Sequence, residues 1–289
     1  MSNRHQHVDD EESIGRMGKG TGGFHEDVVL QALEQNLWEF WSWFGRGPDC
    51  TLHDEGDALW FETPIPTLPY NMVLRFAVTG DVDRRIDSMV EHYRRRRVAF
   101  LWIIHPSSMP KDLGDRLSKR GLAEIEVCSG MAANLADLPE LQSTPEGFEI
   151  RELDNETAAN HLVDFAAWRW HVPEEAKSHL RVYAEVLRIG RPSPILRCWM
   201  AWSRDLPVSK AALHCAAGAA GIYAVATRPQ ARGQGLAGTV TLEALRAARE
   251  NGYQLAVLHS TSIAKRLYTK LGFHDVAPFR VFASEAIPL

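Results

Sequence analysis

"TRPQARGQGLAGTVTLEAL", residues 227–245, sets Gly233, Gly235, Ala237 and Gly238 beside Arg232, between the small apolar run "GIYAVAT" (221–227) and an amphipathic helical pattern. A turn leading from a strand into a helix presents backbone N–H groups with no intrahelical acceptor, and the helix dipole adds positive potential there. Glycine takes positive φ freely and lets a ligand approach the backbone with no Cβ in the way. The turn is therefore a candidate anion site. It is not G-x-x-x-x-G-K-[ST], because no Lys-Ser/Thr closes it. Nor is it G-x-G-x-x-G, because Ala237 and Gly238 put the small residues at other intervals.

Around the turn the second half of the chain alternates strands and helices. "FEIREL" reads as a strand, followed by helices around 156–170 and 173–189. "ILRCWMAW" and "SKAALHCAA" read as antiparallel strands, then "GIYAVAT", the glycine turn and a helix over 238–251. The buried strand "QLAVLHS" leads to the helix "SIAKRLYTKLGF", closed by Gly272, and a last strand "RVFAS". Alternation around apolar strands indicates a mixed α/β class.

Read together, "Arg232-x-x-Gly235-x-Ala237" and "Ala264-x-x-Leu267-Tyr268-x-x-x-Gly272-Phe273", in this order and separated by one helix and one buried strand, resemble the two recurrent motifs of the GNAT (Gcn5-related N-acetyltransferase) superfamily. The resemblance covers about 149–284 and is strongest at 222–273. It implies that the strand at 222–227 splays from 255–260 and that acetyl-CoA lies in the V between them. Val225 and Thr227 would pair with the pantetheine arm. Arg232, Gly233, Gln234, Gly235, Leu236, Ala237 and Gly238 would hold the pyrophosphate, Ala264 would flank the cofactor, and Tyr268 would face the sulfur. Two departures stand out: Thr261 occupies the place of a frequent asparagine, and "GIYAVAT" carries no acidic base.

Acyl transfer to an amine needs an uncharged amine, a polarised thioester carbonyl and a stabilised leaving thiolate. Tyr268 is the candidate acid for the thiolate. His214, in the strand before the splayed one, and His259, at the end of the next, are the candidate bases; a water chain would serve as well. Trp168, Trp170 and His171 fall where the family covers its acceptor, so they are candidates for that pocket, although two tryptophans two apart on a helix face different directions.

The first half echoes the second. A helix over 26–44 precedes hairpin strands within 52–62, a strand at 71–78, a helix capped by Asp81, and the buried strand "AFLWIIHP". "DLGDRLSKRGLAEIEV" then runs parallel to "SIAKRLYTKLGFHDV": aligned on Gly121 and Gly272, Leu113 stands opposite Ala264 and Leu117 opposite Tyr268. At the place of the glycine turn stands "TGDVDRRID", where Asp81 and Asp83 would repel a pyrophosphate. The run Arg94–Arg97 reads as a cationic helix C-terminus, favoured by the dipole.

The expected architecture is thus α/β: tandem GNAT-like domains, each a mixed, mostly antiparallel sheet flanked by helices, with the splayed pair in the C-terminal one. The expected boundaries are a polar tail at 1–25, a degenerate N-terminal domain at 26–138, a linker at 139–147 and the acetyltransferase domain at 148–289. The expected activity is transfer of an acetyl group from acetyl-CoA to a primary amine; the alternative is a non-catalytic acyl-CoA-binding sensor or interaction module. A net charge of −5 argues against a dedicated nucleic-acid partner. Four scattered cysteines without metal spacing indicate ordinary thiols in a reducing cytoplasm and no metal cofactor. No apolar run is long enough for a membrane span. The expected state is monomer or homodimer.

Overall fold

The computed structural model describes residues 23–140 and 143–284; most of the expected tail and part of the expected linker lie outside them. All eleven strands join one sheet, in the order β1-β2-β3-β4-β11-β5-β10-β9-β8-β7-β6. In chain order these are β1 (Thr51–Asp54), β2 (Ala58–Glu62), β3 (Met72–Phe76), β4 (Leu101–Ile104), β5 (Ala123–Asn134), β6 (Glu149–Glu152), β7 (Arg197–Ser203), β8 (Leu206–Ala216), β9 (Ala219–Thr227), β10 (Leu255–Ser260) and β11 (His274–Ala283).

The echo between the halves is visible in the pairing. β3 runs parallel to β4, and β9 runs parallel to β10. Every other ladder is antiparallel. The two halves meet in the middle by exchanging their last strands. β11, from the second half, lies against β4 of the first, while β5, from the first half, lies against β10 of the second. β5 and β11 then pair with each other. One sheet thus runs across the boundary expected at 139–147, and each half supplies a strand to the other.

Helices cover both faces. α2 (Val82–Arg96) starts where the Asp81 side chain accepts from the Arg84 N–H, and buries Ile86, Met89, Val90 and Tyr93 at helical spacing. It ends at Arg97 in the left-handed region, φ 56°. α3 (Leu113–Ser118) lies within "DLGDRLSKRGL". α6 (Leu236–Glu250) buries Leu236, Val240, Ala244, Leu245 and Ala248 against the face formed by alternate residues of β7 to β10. On the opposite face lie α4 (Glu156–Trp170), α5 (Lys177–Val186) and α1 (Glu26–Ser42).

α1 belongs to the first half by sequence but is pinned to strands of the second. Asn36, fully buried, donates from Nδ2 to the carbonyls of Ala216 (2.8 Å) and Ala219 (3.1 Å), and its Oδ1 accepts from the Tyr223 hydroxyl (2.7 Å). The Phe40 ring stacks on Tyr223 at 4.0 Å between centroids. A buried amide with its donors and acceptor satisfied fixes one docking position, because any slip leaves polar groups unpaired. The largest apolar core accordingly draws from both halves, with Leu33, Phe40 and Met72 beside Leu162, Met200 and Tyr223.

Candidate functional site

The glycine turn is built as an open helix start. Gly233 and Gly235 have φ of 77° and 80°, and nothing within 4 Å would meet a Cβ at either position. Gly235 is the N-cap of α6 and no side chain caps the helix, so its first N–H groups point outward with the positive end of the dipole. Arg232 donates from Nε to the Thr227 carbonyl at 3.2 Å, which ties the guanidinium to the end of β9. Gly238 has a different cause: a Cβ there would lie 3.2 Å from Leu267 Cδ1, so the small residue lets α6 approach α7 (Lys265–Lys270).

β9 and β10 part just before this turn. Their parallel pairing runs from Ala220–Ala256 to Ile222–Leu258 and stops, while β9 continues to Thr227. The cause lies on the other edge of β9. Lys210 of β8 faces Ala226 and Ala212 faces Tyr223, so β9 carries one extra residue, and Ala224 takes φ 51°. A bulge of this kind bends its strand and leaves local backbone groups out of the ladder. From Tyr223 to Thr227 the edge of β9 toward β10 is therefore free of strand pairing.

A cavity of about 350 Å³ opens at this gap. Val225, Ala264 and Tyr268 line it; Thr227 and residues 232–238 lie outside its wall, toward the turn. Tyr268 is 6% exposed, its ring edge-on to Phe273 at 6.1 Å, and its hydroxyl has no hydrogen-bond partner among the described residues. Burial pushes its pKa well above the ordinary phenol value, which keeps it a proton donor.

The two candidate histidines separate. His214 does not line the cavity. It is 2% exposed, its Nδ1 lies 3.0 Å from the Ile195 carbonyl, and burial lowers its pKa. His259 lines the cavity wall, and both its ring nitrogens are buried without a partner among the described residues. Burial, with a smaller contribution from His105, holds its imidazole down to about 3, so it is neutral at ordinary pH. Nearby, His105 Nδ1 lies 3.0 Å from Glu34 Oε1, and the Ser107 hydroxyl donates to Glu34 Oε2 at 2.7 Å.

The three candidate acceptor-pocket residues also separate. Trp170 lines the cavity. Trp168 sits against Phe165 with the Arg228 guanidinium 4.4 Å above its ring. His171 follows the end of α4 in the left-handed region, φ 51°, and is exposed. The cavity wall includes residues that sequence reading passed over: Arg169, Lys210 and, from the first half, Phe40, Met72 and Ile103. Lys210 stood inside "SKAALHCAA", whose apolar character masked a charged residue on the inner face. Among the described residues no group of His, Cys, Asp and Glu is placed to hold a metal, and no helix is long and apolar enough to cross a membrane.

Residues 194–275 match the family model of the acetyltransferase (GNAT) domain. No curated protein sequence matches the chain. Among solved structures, a GCN5-related N-acetyltransferase from Kribbella flavida superposes with a TM-score of 0.62 at 17% identity, over 87% of this chain and 95% of that one. A tandem GNAT protein from the clavulanic acid biosynthesis pathway superposes with a TM-score of 0.57 at 14% identity, over 91% and 94%. A GCN5-related N-acetyltransferase from Sphaerobacter thermophilus gives 0.55 at 19% identity, over 82% and 84%. At these identities the superpositions speak for the fold, and the family match covers the site.

Proposed function

We propose, for a chain that belongs to the GNAT acyltransferases through its C-terminal half, transfer of an acetyl group from acetyl-CoA to a primary amine by direct attack on the thioester. The observation that carries this reading is the convergence of three features. An uncapped helix start is open to an anion, the edge of β9 is freed by the bulge at Ala224, and Tyr268 lines the same gap. The N–H groups of 233–238 and Arg232 suit the diphosphate. Val225 and Thr227 suit the pantetheine amides, and a β9 N–H suits the thioester carbonyl.

The amine nitrogen attacks the carbonyl carbon, the carbon–sulfur bond breaks, and its electron pair leaves on sulfur. Tyr268 gives its hydroxyl proton to the thiolate and regains one from solvent. The amine must arrive neutral. His259, neutral and with a free lone pair on the cavity wall, is the better placed of the two histidines to accept its N–H. A conjugate acid destabilised by burial does not store the proton, so His259 orients the amine and passes the proton to solvent. The test is release of free CoA thiol from acetyl-CoA across a panel of amines, with mass spectrometry of the products. Amine-dependent release with a product heavier by one acetyl group supports transfer. Tight acetyl-CoA binding with no amine-dependent release favours the non-catalytic sensor.

A further inference from the structure

The cavity extends well beyond the gap between β9 and β10. It passes under α1 and α5 to Met72, Leu101 and Ile103 of the first half. Its volume, about 350 Å³, lies at the low end of pockets that enclose a whole small molecule. An acetyl group needs far less. Its wall is almost wholly aliphatic and aromatic, and it contains two cations, Lys210 and Arg169, and no carboxylate among the described residues.

Lys210 is unusual. It is 5% exposed on a central strand, and no hydrogen bond or ion pair engages its ammonium among the described residues. Its Nζ lies 5.9 Å from the centroid of Phe165, and the Arg228 guanidinium lies 5.2 Å from the same ring. Arg169 stacks on Trp170 at 4.3 Å. Burial pushes both Lys210 and Arg169 below their ordinary pKa values; repulsion from Arg169 adds to this at Lys210, and repulsion from Arg232 adds to it at Arg169. A buried lysine with cationic neighbours and no counter-ion either gives up its proton or takes an anion beside it, and a ligand carboxylate would supply that anion.

We propose that the acceptor is an amine that carries both a carboxylate and an apolar body, with the carboxylate seated between Lys210 and Arg169 and the apolar body filling the chamber between the halves. This rests on the acyl-transfer reading above and names the substrate class for that site. Arg228 and Arg232 flank the turn in the sequence and do not line the chamber, so they suit the phosphates; Lys210 and Arg169 line it.

The test uses the full chain and matched probes: phenylalanine and leucine against their neutral amides, phenylalanine against glycine, and 5-aminopentanoate against pentylamine. Each is measured for binding by calorimetry and for turnover with acetyl-CoA. The acids should bind and react at least about tenfold better than their neutral partners. Lys210→Met, close in volume and uncharged, should reduce that ratio to near one. Ala166→Phe, which narrows the chamber, should disfavour phenylalanine relative to glycine. The calorimetric arm keeps this separable from the chemistry: preferential binding of the acids without turnover would sink the acyl-transfer reading and leave the acceptor site standing. Equal binding of acids and amides, or an acid preference that survives Lys210→Met, would overturn the proposal. So would a Lys210-dependent preference for succinyl-CoA over acetyl-CoA with no preference among the amines, since that would put the carboxylate on the donor.

Discussion

The helix starts of α2 and α6 occupy corresponding places in the two halves, yet they are finished in opposite ways. Each follows a strand that runs parallel to the next, and in each half the pairing of those strands stops early. At α6 the gap stays open and the helix start is bare. At α2 the Asp81 side chain caps the Arg84 N–H, and Asp83 is held by Arg116 and Arg120. The gap beside β3 is also closed: Met109 bridges to Ala77 and donates its N–H to the Phe76 carbonyl at 2.9 Å. Acidic residues in a first turn stabilise a helix. The first half takes that gain and fills its cleft; the second forgoes it and leaves its helix start open. On the function proposed above, the same scaffold is used once for stability and once for binding.

The sharpest way to break this contrast is to give α6 the carboxylate that α2 has. Gly235→Asp should weaken acetyl-CoA binding by on the order of 100-fold, because a carboxylate would face the diphosphate at the helix start. Gly235→Asn, which tolerates the same left-handed backbone without the charge, should lose much less; calorimetry on both separates charge from strain. The converse exchange, Asp81→Gly with Asp83→Asn, should not create a second site, since residues 105–110 still close the cleft. A titration that stays at one acetyl-CoA per chain checks it.

Tyr268→Phe should lower kcat by about tenfold or more while leaving acetyl-CoA affinity nearly unchanged, because the hydroxyl matters as charge builds on sulfur. Leu117 holds the corresponding place in the first half, fully buried in apolar packing, so Leu117→Ala should cost stability but not kcat once the protein is folded.

A further effect concerns pH. Burial lowers the pKa of His259 from 6.5 to about 3. Between those values the unfolded chain binds the proton and the folded one does not. Stability from this group is therefore complete above about 6.5 and lost as pH falls toward 3, by at most ~1.4 kcal/mol per pH unit. His214, also lowered by burial, adds in the same direction. Urea midpoints from pH 7 to pH 4 should drop more steeply for the wild type than for His259→Gln. Smallest of all, Asp81→Ala should cost about 1 kcal/mol through loss of the cap, read from the same urea curves at pH 7.

What was legible in the sequence was local. The glycine turn, the helix ending at Gly272, the Asp81 cap and the repeat aligned on Gly121 and Gly272 each depend on residues close together in the chain, where backbone preference and side-chain spacing leave a mark. What was not legible depends on distant partners. Asn36 looks like any polar residue of an amphipathic helix until its amide meets Ala216 and Ala219. The bulge at Ala224 has no glycine to announce it; the extra residue is defined only against β8. The separation of His214 from His259 follows from which one the cavity reaches, and the cavity is shaped by α1 as much as by the strands that carry them. Strand exchange was hidden for a similar reason: β5 and β11 have the right pattern for either half, and hydropathy does not say which neighbour a strand chooses.

That exchange also governs how the molecule must come together. Leu101 pairs with Ala283, and His274 with Ala132, so contacts at the centre of the sheet join segments far apart in the chain. A ribosome releasing this protein exposes the apolar edge of β4 long before β11 exists to cover it. Long-range pairing of this kind slows folding and leaves strand edges open to wrong partners. During synthesis the first half is therefore an unfinished sheet in need of protection, and the glycine turn at 232–238 lies within the stretch of chain that must emerge before the sheet can close.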